Sequence, residues 1–293
     1  MLPEFKSIFD LLKAFPTEQS CIDHLENLSW GGNPVSPFDA SSKVYKCAGN
    51  KYKCKSTGKY FNVRTGTIFD NTKITLQKWF LALYVLRKNK KGISSHQLAK
   101  DISVTQKSAW FLLHRLRYAF DHPNFQGVVG NIVEIDEAGI GGQSHYKHAN
   151  KKIRNEEGAT ISGKTSVLGM KERGGNVKAF VIPDRTMETL LPAIYENVKP
   201  DSILMTDELA AYQHLKKDFE HHAVNHSAKQ FVNKMASTNG IENFWSHLKR
   251  GIDGIYHQVS KGHLQSYIDE FTLRFNTRDF NTQGRFDLIL SAV

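Results

Sequence analysis

Residues 131–136 read NIVEID, and residues 202–207 read SILMTD. Each is a short apolar run that closes on an aspartate, Asp136 in the first and Asp207 in the second. Runs this short and this apolar predict buried central strands. In open α/β sheets, sites form at the carboxyl ends of such strands. Two strands presenting aspartates at one edge would build a single acidic pocket. From about residue 128 strands and helices alternate, which predicts an α/β domain with central strands, in a chain that is α+β overall.

A third carboxylate comes from STNGIENFWSHLKRGI, residues 237–252. Read as a helix, Ile241, Phe244, Trp245, Leu248 and Ile252 form one core stripe, and Trp245 is expected to be packing. Glu242 and Lys249 are separated by about 20° around the helix axis, both at the edge of that stripe. An edge position lets a side chain reach a pocket at the end of the sheet. Glu242 is therefore the preferred third ligand, with Asn239 as the alternative. Asp136 and Asp207 have 70 residues between them, and Asp207 and Glu242 have 34. Three clustered carboxylates repel one another unless cations neutralise them. Two Mg²⁺ (or Mn²⁺) ions about 4 Å apart would do so and would activate a nucleophile at phosphorus. Lys249, with Arg250 beside it, would then face a DNA backbone.

The stretch GISSHQLAKDISVTQKSAWFLLHRLR, residues 92–117, predicts a helix-turn-helix. Ser95 is the expected cap of a helix carrying Leu98, Ala99 and Ile102. Ser103-Val104 is the break, and Thr105 caps the second helix. Ala109, Leu112, Leu113 and Leu116 form the inward stripe of that helix. Gln106, Lys107, His114 and Arg117 remain for the outside. The pattern also suits an ordinary helical hairpin. As a DNA reader, it would place Thr105, Gln106, Lys107 and Arg117 near the groove. The basic run Arg87-Lys88-Asn89-Lys90-Lys91 would supply backbone contacts.

Residues 31–72 have the rhythm of a zinc ribbon but lack its ligands. Structural zinc needs four, usually as two Cys-x-x-Cys pairs. Ser36 and Asp39 stand where the first pair would fall. In the second, Cys54 is present and Thr57 replaces its partner. Cys47 lies at the wrong spacing. Zinc is not expected, and Tyr45, Tyr52, Tyr60 and Phe61 are expected to pack instead. Before the ribbon, residues 1–30 read as helical, with a stop and fresh start at Pro16-Thr17-Glu18. The expected divisions are thus 1–30, 31–72, 73–122 and a catalytic domain at 128–285.

The bulk properties agree with a folded, basic protein. Its 293 residues carry 39 Lys plus Arg against 29 Asp plus Glu, a net charge of +10, which favours a polyanionic partner through counterion release. Three cysteines fit a reducing compartment. No apolar run approaches the roughly 20 residues of a membrane helix, so no membrane association is expected, and a bacterial cytoplasmic location is. His221, His222 and His226 read as solvated or hydrogen-bonding, not as a metal site. Tyr256 and His257, after the third-carboxylate helix, could touch DNA or be structural. The Gly-rich, basic segment 139–158 is expected to be mobile and to order on DNA.

The chain resembles the DDE transposases of bacterial insertion sequences, specifically the group with an N-terminal zinc ribbon, a helix-turn-helix and an RNase H-like core. The resemblance rests on GTIFDNTKITLQKWFLALYVL, the helix-turn-helix stretch above, VEIDEAGIGG, LGMKERGG, TDELAAYQHL and NGIENFWSHLKRGIDGIYHQVSKGHLQSYIDEF. For the core it implies a central mixed sheet flanked by helices. It implies metal-dependent hydrolysis at transposon ends, then transfer of the freed 3′-hydroxyl to target DNA. It implies double-stranded DNA as partner and a homodimer or larger assembly. The positions matching the acidic triad are Asp136, Asp207 and Glu242, and Lys249 matches the lysine that follows. Three of the four expected ribbon cysteines are missing, and Ser237 stands where relatives often have histidine. Such a chain could also be a DNA-binding regulator without catalysis, or a nuclease that cuts without joining.

Overall fold

The computed structural model describes residues 5–120, 127–141, 148, 150, 163–224, 237–280 and 282–291. The chain divides into two units, Met1–His122 with Asp279–Val293, and Pro123–Arg278.

The first unit opens with α1 (Ile8–Ala14) and α2 (Glu18–Trp30). The expected stop at Pro16 separates them, and Thr17 caps α2 by accepting from the Ser20 amide. Next come β1 (Val44–Cys47), β2 (Lys51–Cys54) and β3 (Tyr60–Phe61), an antiparallel three-stranded sheet. Tyr52 and Phe61 are buried and stack on each other under Trp30. Tyr45 and Tyr60, expected to pack with them, are 42% and 59% exposed. Strand alternation explains the difference, because both sit on the opposite face from Tyr52.

Three helices follow: α3 (Leu76–Lys88), α4 (Ser95–Asp101) and α5 (Gln106–Phe120). Leu98, Ala99 and Ile102 are buried, as are Ala109, Leu112, Leu113 and Leu116. The break comes at Ser103, whose φ of 52° is left-handed. The α4 cap is Ser94, one residue before the expected Ser95; its hydroxyl accepts from the Gln97 amide. Thr105 does accept from the Ser108 amide, 3.2 Å away.

The second unit holds β4 (Ile132–Ile140), β5 (Thr165–Glu172), β6 (Val177–Ile182), α6 (Met187–Asn197), β7 (Ile203–Thr206) and β8 (Glu220–Ala223). Helices α7 (Asn239–Gly251) and α8 (Leu264–Asn276) complete it. The strand order is β6-β5-β4-β7-β8. Pairing is antiparallel through β6, β5 and β4, and parallel through β4, β7 and β8. This mixed sheet flanked by helices is consistent with an RNase H-like core. Both faces are covered, which is why NIVEID and SILMTD are so apolar. One face packs Ala138, Val167 and Ala179 against Ile241, Trp245 and Leu248 of α7. The other packs Val133, Ile135 and Leu204 against Leu190 and Ile194 of α6. The outer edge of β6 is covered by α8: the amides of Val177 and Val181 donate to Asn276 and Gln265 side chains, which blunts that edge as a pairing template.

The last helix, α9 (Thr282–Ser291), clusters with the first unit, not with the catalytic domain expected to run to residue 285. Phe286 sits among Phe5, Phe15 and Phe80. Nothing local in residues 282–291 marks which core the helix will join.

Candidate functional site

The site forms where β7 stops. Its register with β4 runs Ile132–Ile203, Val133–Leu204, Glu134–Met205. Beyond Thr206 no described residue pairs with that edge of β4, and the register places Asp207 level with Asp136. The sequence pattern predicts that β4 ends at Asp136; instead the strand continues to Ile140, paired on its other side with β5. The three carboxylates can meet because the neighbouring strand is short, not because β4 ends.

Asp136, Glu137 and Asp207 each bring a carboxylate oxygen within 4.8 Å of the others. Nothing in the sequence pattern marks Glu137 for this group. Alternation sends neighbouring side chains to opposite faces of a strand, so the pattern assigns only one of them to a pocket. At an unpaired edge both can meet. Burial pushes the Asp136 carboxyl above the ordinary carboxylate range, opposed by the Glu137 amide at 2.8 Å and reinforced by the charge of Asp207. Burial pushes Glu137 up to about 8, with Asp207 and Asp136 adding to it. Glu137 Oε1 is buried with no hydrogen-bond partner among the described residues. An orphaned buried carboxylate oxygen beside two more carboxylates is a donor set that fits a hard divalent cation.

Helix α7 is fastened to β4 by two carboxylates. Glu134 Oε2 accepts from the Ile241 amide at 3.0 Å, and Asp136 Oδ2 accepts from Trp245 Nε1 at 3.0 Å. Two residues along a strand rise about 6.6 Å, and four residues along a helix rise about 6 Å. The two bonds are therefore commensurate. Glu134 is 3% exposed and also meets Arg173, whose guanidinium reaches the Ser237 carbonyl. Two glycines make this approach possible. A Cβ on Gly169, which pairs with Asp136 across the sheet, would lie 2.4 Å from the Trp245 ring. A Cβ on Gly240 would lie 2.5 Å from Glu134 Oε2. Trp245, expected only to pack, thus both packs and orients Asp136.

Glu242 is exposed in the first turn of α7 and accepts from Thr238 Oγ1 at 2.9 Å. It stands outside the group of three, although its charge adds to the upward shift of Asp136. Asn239, the alternative, is exposed at the start of the helix, its amide bonded to Ser237 Oγ. Lys249 and Arg250 are exposed on α7. His221 is fixed at 2.7 Å from Thr206 Oγ1, next to Asp207. His222 pairs with Glu220. His226 and most of segment 139–158 lie outside the described residues. Tyr256 bonds Glu270, and His257 is exposed.

In the first unit, Thr105, Gln106 and Lys107 are exposed at the start of α5. Arg117 is 1% exposed, which corrects its expected outward position. It falls four residues after Leu113, on the buried stripe itself. The ribbon positions also come together. The hydroxyls of Ser36, Ser42, Ser56 and Thr57 surround Cys54 and hold its thiol down to about 5. Asp39 Oδ2 accepts from Ser56 Oγ at 2.7 Å.

Among known proteins, residues 127–276, just over half of the chain, match the model of the ISXO2-like transposase domain. An uncharacterized protein in transposable element ISH50 of Halobacterium salinarum is 26% identical over 279 residues, 90% of this chain and 92% of that protein. An uncharacterized transposase-like protein of Haemophilus influenzae is 39% identical over 108 residues, 36% of this chain and 86% of that protein. No solved structure matches the chain. The matched span contains the five-stranded sheet, the three clustered carboxylates and α7, and the chain belongs to the ISXO2-like transposase family of insertion-sequence transposases.

Proposed function

We propose that this transposase cuts phosphodiester bonds at the ends of its element and transfers the freed 3′-hydroxyl to target DNA, using divalent metal ions. The observation that carries the reading is the convergence of Asp136, Glu137 and Asp207 within 4.8 Å, with Glu137 Oε1 unpartnered among the described residues. Asp136 and Asp207 would hold Mg²⁺ or Mn²⁺, with Glu242 as the third ligand once its Thr238 bond is given up. Bound there, the metal supplies Lewis-acid activation of the nucleophile and of the leaving oxygen. The chain's own residues supply the frame. Trp245 holds the Asp136 carboxylate in one orientation. Glu134 and Arg173 hold the N-terminus of α7, and with it Glu242, against β4. Lys249 and Arg250 would meet the DNA backbone beside the site.

In the first unit, α4 and α5 would act as a helix-turn-helix, with Thr105, Gln106 and Lys107 reading the terminal repeats; Arg117 is withdrawn from that set. Joining two ends calls for a homodimer or larger assembly. The test is incubation with labelled terminal-repeat duplex and Mg²⁺. Nicked and strand-transferred products are expected. Cleavage without joining would mean a nuclease, and binding without either would mean a regulator. Asp136→Ala, Asp207→Ala and Glu242→Ala are expected to abolish chemistry and spare DNA binding. Activity in Glu242→Ala together with its loss in Asn239→Ala would assign the third position to Asn239.

A further inference from the structure

The three-stranded sheet has two unlike faces. Tyr52, Cys54 and Phe61 point inward and are buried. On the other face Tyr45, Lys53 and Tyr60 lie directly across from one another, Tyr45 opposite Lys53 and Lys53 opposite Tyr60. Alternation adds Lys51 and Lys55 to that face, and Lys43, whose carbonyl accepts from the Lys55 amide, stands beside Lys55. Between residues 40 and 61 lysine occurs six times, with no aspartate or glutamate.

Stability does not explain this face. Like charges opposite one another across a sheet are destabilising, and no acidic side chain of the segment offsets Lys43 and Lys55. The rings do not seek burial either, since Tyr60 is 59% exposed. What they do is hold ammonium groups: Lys43 Nζ lies 5.5 Å from the Tyr45 ring centre, and Lys53 Nζ 5.6 Å from that of Tyr60. A pinned lysine loses less rotamer entropy when it meets an anion. Strands lie about 4.8 Å apart, so the row Tyr45–Lys53–Tyr60 spans about 10 Å. Duplex DNA carries one phosphate per strand about every 3.4 Å of axis, so the row covers about three.

We infer that this face of the sheet docks on the sugar-phosphate backbone of duplex DNA, through Tyr45, Lys53 and Tyr60 and the flanking Lys43, Lys51 and Lys55. The inference rests on the DNA-transposase reading and adds to it a contact surface that carries no sequence preference. It also gives the sheet a use that does not depend on metal.

The test measures binding of the full chain to terminal-repeat and unrelated duplexes across a salt series. Lys53→Gln with Lys55→Gln is expected to weaken both duplexes by the same factor and to lower the slope of log affinity against log salt by about 1.8. Tyr45→Ala with Tyr60→Ala is expected to weaken both several-fold at unchanged thermal stability, because the inner face is untouched. If wild type binds and both variants match it in affinity and slope, the inference is overturned and the transposase reading stands. If wild type binds no duplex at any salt, the reading itself falls and takes the inference with it.

Discussion

The carboxylates of the five-stranded sheet and the hydroxyls around Cys54 are both compact polar clusters at the places where the sequence pattern looks for a metal. They treat charge in opposite ways. Around Asp136, burial and like charge make ionisation costly: Glu137 is pushed up to about 8, and one of its oxygens has no partner among the described residues. Around Cys54, hydroxyl donors make ionisation easy and hold the thiol down to about 5. The first cluster is a donor set that would fit a divalent cation. The second is closed by hydrogen bonds among its own side chains, at the positions where a ribbon would carry its ligands.

The sharpest way to break the comparison is to remove the charges of the first cluster. Asp136→Asn or Asp207→Asn is expected to lower cleavage of terminal-repeat DNA by about 10³-fold or more, with duplex affinity within about twofold of wild type. Full cleavage by either variant would remove the cluster from the chemistry. The converse change is made in the ribbon. Ser36→Cys, Asp39→Cys and Thr57→Cys together give Cys54 three thiol neighbours and are expected to confer one tightly held zinc per chain, read by metal analysis after dialysis. A triple variant that folds and stays zinc-free would show that the four positions do not converge tetrahedrally.

A smaller effect tests how the first cluster is held. Gly169→Ala drives a methyl into the Trp245 ring and is expected to cost about 1–3 kcal/mol of stability. It should weaken Mg²⁺ affinity as well, because Asp136 loses its indole donor. Calorimetry and metal titration separate these losses; a shift in Tm with metal affinity intact would reduce Trp245 to packing.

The last test is the opposed pH dependence. The Glu137 carboxyl is raised from 4.5 to about 8 by folding. Its stabilising contribution is therefore full below about 4.5 and lost as pH rises through 8. The Cys54 thiol is lowered from 9.0 to about 5. Its contribution is present above 9 and lost as pH falls through 5. Hydrogen exchange of metal-free protein between pH 5 and 8 should show protection, corrected for intrinsic rate, falling in β4 and rising in β2. Glu137→Gln should flatten the first trend and leave the second. Parallel trends in both strands would mean a shared cause and would dissolve the contrast.

Much of the site is legible in the chain itself. NIVEID and SILMTD are apolar because their strands are covered on both faces, and that burial is written into composition. The α7 stripe follows from helical period alone, and all five of its expected core residues are buried. Glu137 and Glu134 are not legible, since each depends on a neighbour distant in sequence: the point where β7 stops, and the amide of Ile241. The misplacement of Arg117 has a different origin. Its spacing puts it on the buried stripe while its charge argues for the surface, and the spacing is the better guide.

The sequence by itself determined the two aspartate-bearing strands, the amphipathic helix that follows them and the lack of Cys-x-x-Cys pairs in residues 31–72, because each is a local pattern of period or composition. Only the tertiary structure decided which carboxylates share a pocket, which face of the ribbon sheet is basic and exposed, and that α9 rejoins the first unit. Those outcomes turn on strand register, on where a partner strand ends and on which core has room, and none of these is a property of a contiguous stretch of chain.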